Sequence, residues 1–336
     1  MPKEHLVNKH SYLTTINSLV KDGSYPCKVN ICNGVVQFVD TPAYEDVYAC
    51  LEAEYETWND DFDAAHMGMS DDQIQDEIDI TGWDENYELH QFYINNSFSS
   101  YFAYLDVLEN NWLLNGNWNP TTDPELLDYF DDDITNSFFN SNGMLLIGTT
   151  LLVIDNKGEL WTISNANCNT ILSTSQDPAL LQNTPNATLQ KSKPPHPNGC
   201  LTEVREIGYH PYSCNSKDRF FKAKIKYVLN ADESGSIPLD WKYSQKFKGK
   251  VTAYRKKNNK WKRARTILFV KVEIARTYDC QDIESILPDE NGPKQRSKLK
   301  KIGYASNNVL TPYFLPLSFK GTFIDMTCNE VFVMTK

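Results

Sequence analysis

Arginine is absent from the first 200 residues of this 336-residue chain, where 7 lysines stand against 30 Asp and Glu, a net charge of −23. Residues 201–336 reverse the balance, with 26 Lys and Arg against 14 acids, a net of +12. The overall charge of −11 therefore describes neither half. Such a division marks separate domains, the basic one facing a polyanion or an acidic partner. The two halves can also screen each other within one chain. Exposed charges act over only about 8 Å at physiological salt, so screening would need a docked interface.

Both halves have material for cores. Hydrophobic residues make up 40% of the chain, with 16 Phe, 18 Tyr and 7 Trp, which excludes wholesale disorder. The longest near-apolar run, Met144 to Ile154, contains Gly148, Thr149 and Thr150 and is too short and too polar to span a bilayer. The first 30 residues show no basic region followed by an apolar stretch, so no secretory leader is expected there.

Val35 to Val39 suits a short strand, and Thr41-Pro42 reads as a helix start. Tyr44, Val47, Tyr48, Leu51, Tyr55 and Trp58 then recur at helical spacing as one stripe. Ser70 reads as the cap of a helix carrying Ile74 and Ile78. Phe98, Phe102, Leu105, Val107 and Leu108 suggest another helix, and Asp123-Pro124-Glu125 begins one more. The period then changes. Leu145 to Ile154, a turn at Asp155 to Gly158, and Glu159 to Ile163 form a hairpin pattern. Residues 173–199 hold five prolines and read as a linker.

Beyond the linker the pattern is β. Phe221, Ala223, Ile225, Tyr227 and Leu229 alternate with Phe220, Lys222, Lys224, Lys226 and Val228, as in a half-buried strand. Lys250 to Lys256 and Lys260 to Thr277 flank Asn258-Asn259 as a second hairpin, whose return strand carries Leu268, Val270, Val272 and Ile274 on one face. Further short strands near the C-terminus argue for a sandwich or barrel. The expected fold is α+β. An acidic helical domain with a small β-hairpin sheet (1–172) leads through the linker (173–199) to a basic antiparallel β sandwich or barrel-like domain (200–336).

The sharpest candidate site is the second hairpin, with Arg255, Lys256, Lys257, Lys260, Trp261, Lys262, Arg263 and Arg265. Its alternation places Trp261, Arg263 and Arg265 on one face and Lys260 and Lys262 on the other. A ribbon charged on both faces belongs at an edge or a projection. Cations around an exposed indole suit a polyanionic glycan, a lipid headgroup or nucleic acid. Lysine on an edge strand is also ordinary protection against sheet-to-sheet aggregation.

Eight cysteines invite disulfides if the compartment is oxidising. Cys200 with Cys214 would close a loop of about fifteen residues, worth roughly 3 kcal/mol in the chain-entropy model. Cys27 with Cys32 is the second candidate pair. Cys200, His210 and Cys214 lack the paired spacing of a structural zinc site, and the acidic clusters at 60–63, 71–72 and 131–133 fit no calcium loop and read as solvated surface. No nucleophile elbow, glycine-rich phosphate loop or H-E-x-x-H motif occurs, and no cofactor or metal is expected.

Gly34-Val35-Val36-Gln37-Phe38 ahead of an amphipathic helix, Asn142-Gly143-Met144-Leu145-Leu146-Ile147-Gly148-Thr149 closing on Gly158-Glu159-Leu160-Trp161, and Lys260-Trp261-Lys262-Arg263-Ala264-Arg265-Thr266 together resemble a group of functionally uncharacterised Bacteroidota proteins. These are exported or lipid-anchored at the cell surface. The resemblance implies an extracellular, non-catalytic binding or structural role and supplies no site residues. Such proteins begin with a leader, whereas Met1-Pro2-Lys3-Glu4 opens a polar segment; either the leader is missing from this sequence, or this member works elsewhere, for example in a phage particle or a secretion assembly.

The expected function is accordingly a non-enzymatic surface or assembly module whose basic hairpin engages a polyanion or an acidic protein, with an oligomer possible. The rival readings are a hydrolase of extracellular polymers, using carboxylates of the first domain, and a structural component of a phage particle or secretion machine.

Overall fold

The computed structural model describes residues 25–115, 119–190, 203–232, 242–278, 284–286, 294–296, 298–307 and 314–335. The fold is α+β, in two compact units. Unit 1 takes residues 1–106 and 128–188, and unit 2 takes residues 107–127 and 189–336. On that division unit 1 carries 5 lysines against 27 acids, and unit 2 carries 28 Lys and Arg against 17 acids. Residues 107–127, which the charge count had assigned to the acidic half, fold with the basic one.

In unit 1, β1 (Asn30–Cys32), β2 (Val35–Phe38), β3 (Met144–Ile147), β4 (Thr150–Ile154), β5 (Leu160–Ser164) and β6 (Ala187–Leu189) form one sheet in that order. The β2–β3 pairing is parallel, and the crossover between them carries helices α1 (Thr41–Ala65), α2 (Asp71–Thr81), α3 (Tyr87–Asn95), α4 (Tyr101–Asn115) and α5 (Asp133–Phe138). Short helices α6 (Cys168–Ser173) and α7 (Pro178–Leu181) lead to β6. The linker expected over 173–199 is therefore folded through Leu189, and residues 191–199 lie outside the described residues.

Local chemistry accounts for these elements. Asp40, one residue before the expected Thr41, caps α1 by accepting the Ala43 amide at 2.9 Å. Ser70 and Gln73 form a reciprocal capping box on α2. From Tyr44 to Tyr55 the α1 stripe packs in the core with Val36, Phe38, Leu89, Phe92, Phe138 and Leu145, and Trp58 packs in a separate cluster with Phe62, Ile74 and Trp83. The run 145–154 divides into β3 and β4 because Gly148 adopts φ +57°, a left-handed turn conformation that glycine takes without strain. Pro124–Leu126 is one 3₁₀ turn rather than a helix.

Unit 2 contains two antiparallel sheets. The first holds β7 (Glu203–Cys214), β8 (Lys217–Asp232), β9 (Lys242–Lys257) and β10 (Lys260–Arg263), with β14 (Lys298–Asn307) sharing the β10 edge of β9. The second holds β12 (Glu284–Ile286), β11 (Thr266–Tyr278), β15 (Phe314–Asp325) and β16 (Glu330–Thr335), with β13 (Lys294–Arg296) also on β11. The expected single return strand 260–277 thus divides at Ala264-Arg265: β10 stays in the first sheet and β11 crosses to the second. The inner faces pack as a sandwich through Phe221, Ala223, Ile225, Val251, Ala253, Leu268, Val270, Val272 and Phe323. A methyl group at Gly249 would lie 2.7 Å from Val272 Cγ2, and one at Gly321 would lie 2.6 Å from Ile225 Cγ2, so the sheets close at these two glycines.

The disulfides join residues far apart in sequence. Cys27 pairs with Cys50, Cys32 with Cys168, and Cys214 with Cys328, at Cα separations of 5.8, 5.7 and 5.6 Å. The expected pair Cys27–Cys32 is not formed, because Cys27 reaches α1 while Cys32, on β1, reaches the start of α6. Cys214 bonds Cys328 in place of Cys200, which lies outside the described residues. Closing loops of these lengths stabilises by roughly 3–5 kcal/mol each in the chain-entropy model.

Non-reducing peptide mapping is expected to recover Cys27–Cys50, Cys32–Cys168 and Cys214–Cys328, and recovery of a Cys27–Cys32 peptide would contradict the fold of unit 1. A second expectation concerns Glu88 on α3, beside Tyr25, whose hydroxyl donates to the Glu88 carbonyl at 3.2 Å. Burial first, and then the charge of Glu54 on α1, push the Glu88 carboxyl up to about 7 from its ordinary 4.5. The folded state then holds a proton that the unfolded chain releases between those values. The stabilisation is complete below 4.5 and is lost as pH rises through 7. Glu88→Gln, neutral throughout, should flatten stability against pH in this window; a slope equal to that of the unsubstituted protein would contradict it.

Candidate functional site

The first sheet of unit 2 has a second face, and it is lined with lysine. Lys222 and Lys224 on β8 and Lys248 and Lys250 on β9 alternate with the core residues named above, and Lys224 stands directly opposite Lys250 and Lys226 opposite Lys248. Like charges so placed repel, and a half-buried strand would leave them in water. Here they are covered: Lys222 is 2% exposed, and Lys224, Lys248 and Lys250 are buried too.

The cover comes from residues 107–127. Glu109, on the second half of α4, accepts from Lys222 Nζ at 2.5 Å and from the Tyr254 hydroxyl at 2.5 Å, and also pairs with Arg263. Asp123 accepts from Lys222 at 3.3 Å and from the Tyr209 hydroxyl at 2.7 Å. Glu125 pairs with Lys250, lies 3.4 Å from Lys222, and offers its backbone carbonyl to Lys224 at 2.9 Å. Trp112 and Leu113 pack with Phe220 and Tyr254, and the Lys222 ammonium sits 5.4 Å from the Trp112 ring centre.

Burial alone would depress the Lys222 pKa. Glu109 and the neighbouring acids outweigh it and hold the ammonium well above its ordinary value. Tyr254 is raised as well, first by burial and then by Glu109, so it remains a neutral donor. No part of this arrangement was read from the sequence. The acids lie 97 to 154 residues from the cations they meet, and the only prior signal was a set of lysines alternating with core residues along β8.

Within the predicted hairpin the arginines and lysines separate. Arg255 (5% exposed) and Arg265 (2%) are buried, and Arg263 is half-buried on Glu109, so these three are structural rather than ligand-facing. A forked guanidinium satisfies several acceptors in a core where a lysine would satisfy fewer. Trp261 is half-buried, edge-on to Phe220 at 4.8 Å, rather than an open platform. Lys260 and Lys262 are exposed, and Lys256 and Lys257 half-exposed. Lys256 lies 3.7 Å from Asp218, with its ammonium 5.9 Å from the Trp261 ring centre. Asn258 and Asn259 take φ 50° and 62°, which closes the tip as a two-residue turn and sets Lys257 opposite Lys260.

A second polar cluster lies between the sheets, next to the Cys214–Cys328 bond. Asp325, fully buried, accepts from Tyr212 and Thr266 hydroxyls at 2.8 Å each, from the Thr327 amide at 3.0 Å and from Arg219 at 3.4 Å. In unit 1 many carboxylates serve the fold: Asp155 accepts the Lys157 and Glu159 amides and the Trp161 indole N–H, and Asp132 accepts from Tyr48 and Thr135.

No family model and no curated protein matches the chain. Among solved structures the chain is similar to a DUF4848 family protein from Bacteroides thetaiotaomicron, at 12% identity over 91% of this chain and 98% of that one, with a TM-score of 0.21. That neighbour comes from an uncharacterised family in the bacterial group that the sequence resembles; at this score the likeness bears on neither ligand nor activity. Among the described residues no helix is long and apolar enough to cross a membrane.

Glu109→Gln keeps the shape of the side chain and removes the charge shared by Lys222, Tyr254 and Arg263. Breaking a buried pair typically costs about 3–5 kcal/mol. Denaturant unfolding of the variant should register a loss of that order. A loss below about 1 kcal/mol would mean that the carboxylate does not neutralise the lysine face.

Proposed function

We propose that this chain is a non-enzymatic module of the cell exterior that holds a polyanionic surface through the tip of the β9–β10 hairpin. The observation that carries this reading is the sorting of the hairpin's cations: its arginines are consumed inside unit 2, while Lys256, Lys257, Lys260 and Lys262 reach water around a rigid two-asparagine turn. Lys257 stands opposite Lys260 across the turn, which gathers positive charge at the tip. The exterior location is supported by the cysteines, since all six in the described residues are disulfide-bonded and such bonds persist in oxidising compartments.

A sulfated or carboxylated glycan and an anionic lipid headgroup share the chemistry this tip would recognise. Changing Lys256, Lys257, Lys260 and Lys262 together to Glu should abolish salt-sensitive retention on heparin-like and lipopolysaccharide resins while leaving the melting temperature within a few degrees. Retention on heparin alone would identify a glycan, and binding to anionic vesicles would identify a headgroup. Unchanged retention of the variant would overturn the assignment.

A hydrolase reading has one observation in its favour, the raised Glu88 carboxyl beside the Glu54 charge. Turnover of an extracellular polymer that disappears in Glu88→Gln would favour it over the binding module.

A further inference from the structure

The nitrogen of Lys222 is enclosed among carboxylates. It lies 2.5 Å from Glu109 Oε1, 3.3 Å from Asp123 Oδ1 and 3.4 Å from Glu125 Oε2, and all four side chains are buried. The rings of Trp112 and Tyr254 flank it, with centres 5.4 and 5.9 Å from the nitrogen. An ion pair so enclosed has given up its hydration, and that penalty offsets much of the Coulombic gain. A neutral bond between the same side chains would remove the penalty.

Asp123 is set up to receive that nitrogen. It caps the turn Pro124–Leu126, where its Oδ1 accepts the Glu125 amide at 2.8 Å, and its Oδ2 accepts the Tyr209 hydroxyl at 2.7 Å. Burial, and then the bond to Asp123, raise the Tyr209 pKa, so this hydroxyl stays a donor. A donor on a carboxyl oxygen stabilises the oxyanion that forms when a nucleophile adds to the carbon. One cluster therefore holds a nucleophile (Lys222), an electrophile (Asp123), a proton carrier (Glu109) and an oxyanion donor (Tyr209).

We propose that Lys222 and Asp123 condense into an amide, an isopeptide bond that ties residues 107–127 to β8. The pair at rest is an ammonium and a carboxylate, and the free amine arises by proton transfer along the hydrogen bonds already present. One ammonium proton passes to Asp123 Oδ1, its hydrogen-bond acceptor. The nitrogen lone pair then adds to Asp123 Cγ, which forms the N–C bond and places the oxyanion on Oδ2, facing Tyr209. Glu109 takes a second proton from the nitrogen and delivers it to the Oδ1 hydroxyl; the C–O bond breaks and one water leaves. The nitrogen keeps one hydrogen, which it donates to Glu109, and Oδ2 becomes the amide oxygen. Charge balances throughout, and no oxidant or reductant is consumed. Between separate molecules in water this condensation is unfavourable, but fixed partners reach effective molarities on the order of 10⁵ M or more. Because Glu109 holds Lys222 charged at rest, the step is slow and runs once per chain. The bond lies under the cover of the lysine face and is independent of the hairpin reading.

Mass spectrometry of the full chain, denatured and with its disulfides reduced, should give a mass below that of the sequence by one water. Proteolysis should release a branched peptide whose fragment ions join Lys222 to Asp123, which distinguishes the link from dehydration within one residue. Lys222→Arg keeps the charge and should restore the full mass. Glu109→Gln should also show the full mass while circular dichroism reports a folded protein, and Glu109→Asp should recover part of the link. If Glu109→Gln does not fold, Tyr209→Phe, at a half-buried position, should give a folded mixture of linked and unlinked chains. An unsubstituted chain at the full sequence mass overturns the proposal. So does a branch at Glu109 or Glu125 in place of Asp123, or complete linking in both Glu109→Gln and Tyr209→Phe.

Discussion

A row of lysines facing carboxylates brought from roughly a hundred residues upstream holds unit 2 together. A sheet with Lys222, Lys224, Lys248 and Lys250 on one face and a hydrocarbon core on the other does not bury both faces unless counter-charge arrives with the cover. Glu109, Asp123 and Glu125 supply it, and Trp112 and Leu113 exclude water around them. Each acid serves more than one donor, which reduces the number of polar groups left without a partner in a low-dielectric setting. The constraint is specific as well as stabilising, because a buried lysine facing the wrong element would be costly.

That constraint shapes where function can reside. Among the described residues, some cations of unit 2 are buried and others are exposed at the rim. Net charge therefore overstates what the hairpin tip carries: unit 2 holds 28 basic residues, and the tip presents four lysines. The same division explains why arginine and lysine part company within one short ribbon. Arg255, Arg263 and Arg265 lie inside or against carboxylate, and the lysines, with compact and strongly hydrated heads, take the solvent. Acids of unit 1 likewise serve the fold: Asp40 caps α1, Asp155 accepts turn amides, and Asp132 accepts from the Tyr48 and Thr135 hydroxyls.

Local patterns were readable in the sequence, and partnerships were not. The α1 stripe from Tyr44 to Trp58, the Ser70 cap, the Asp155–Gly158 turn and the Asn258-Asn259 tip depend on residues within a few positions of each other, and each stands where the pattern placed it. The α+β class followed from the change of period near Leu145. Three things were not legible. The Cys27–Cys50 bond ties the segment before β1 to the body of α1, and Cys32–Cys168 ties β1 to the start of α6; both depend on tertiary approach, so spacing gave the wrong partners. The break at Ala264-Arg265 follows from sheet crossing, which a continuous β pattern conceals. Residues 107–127 lie inside an acidic run, and only the lysines of β8 and β9, 90 or more positions away, reveal where they belong.

Native-state hydrogen exchange under increasing denaturant tests the central claim, because it reports which segments open together. If residues 107–115 and 119–127 are an integral part of unit 2, their protected amides should lose protection at the same denaturant concentration as those of β8 and β9. Amides of 107–127 that instead open with the sheet of unit 1, while β8 and β9 stay protected, would show that the lysine face does not depend on those carboxylates.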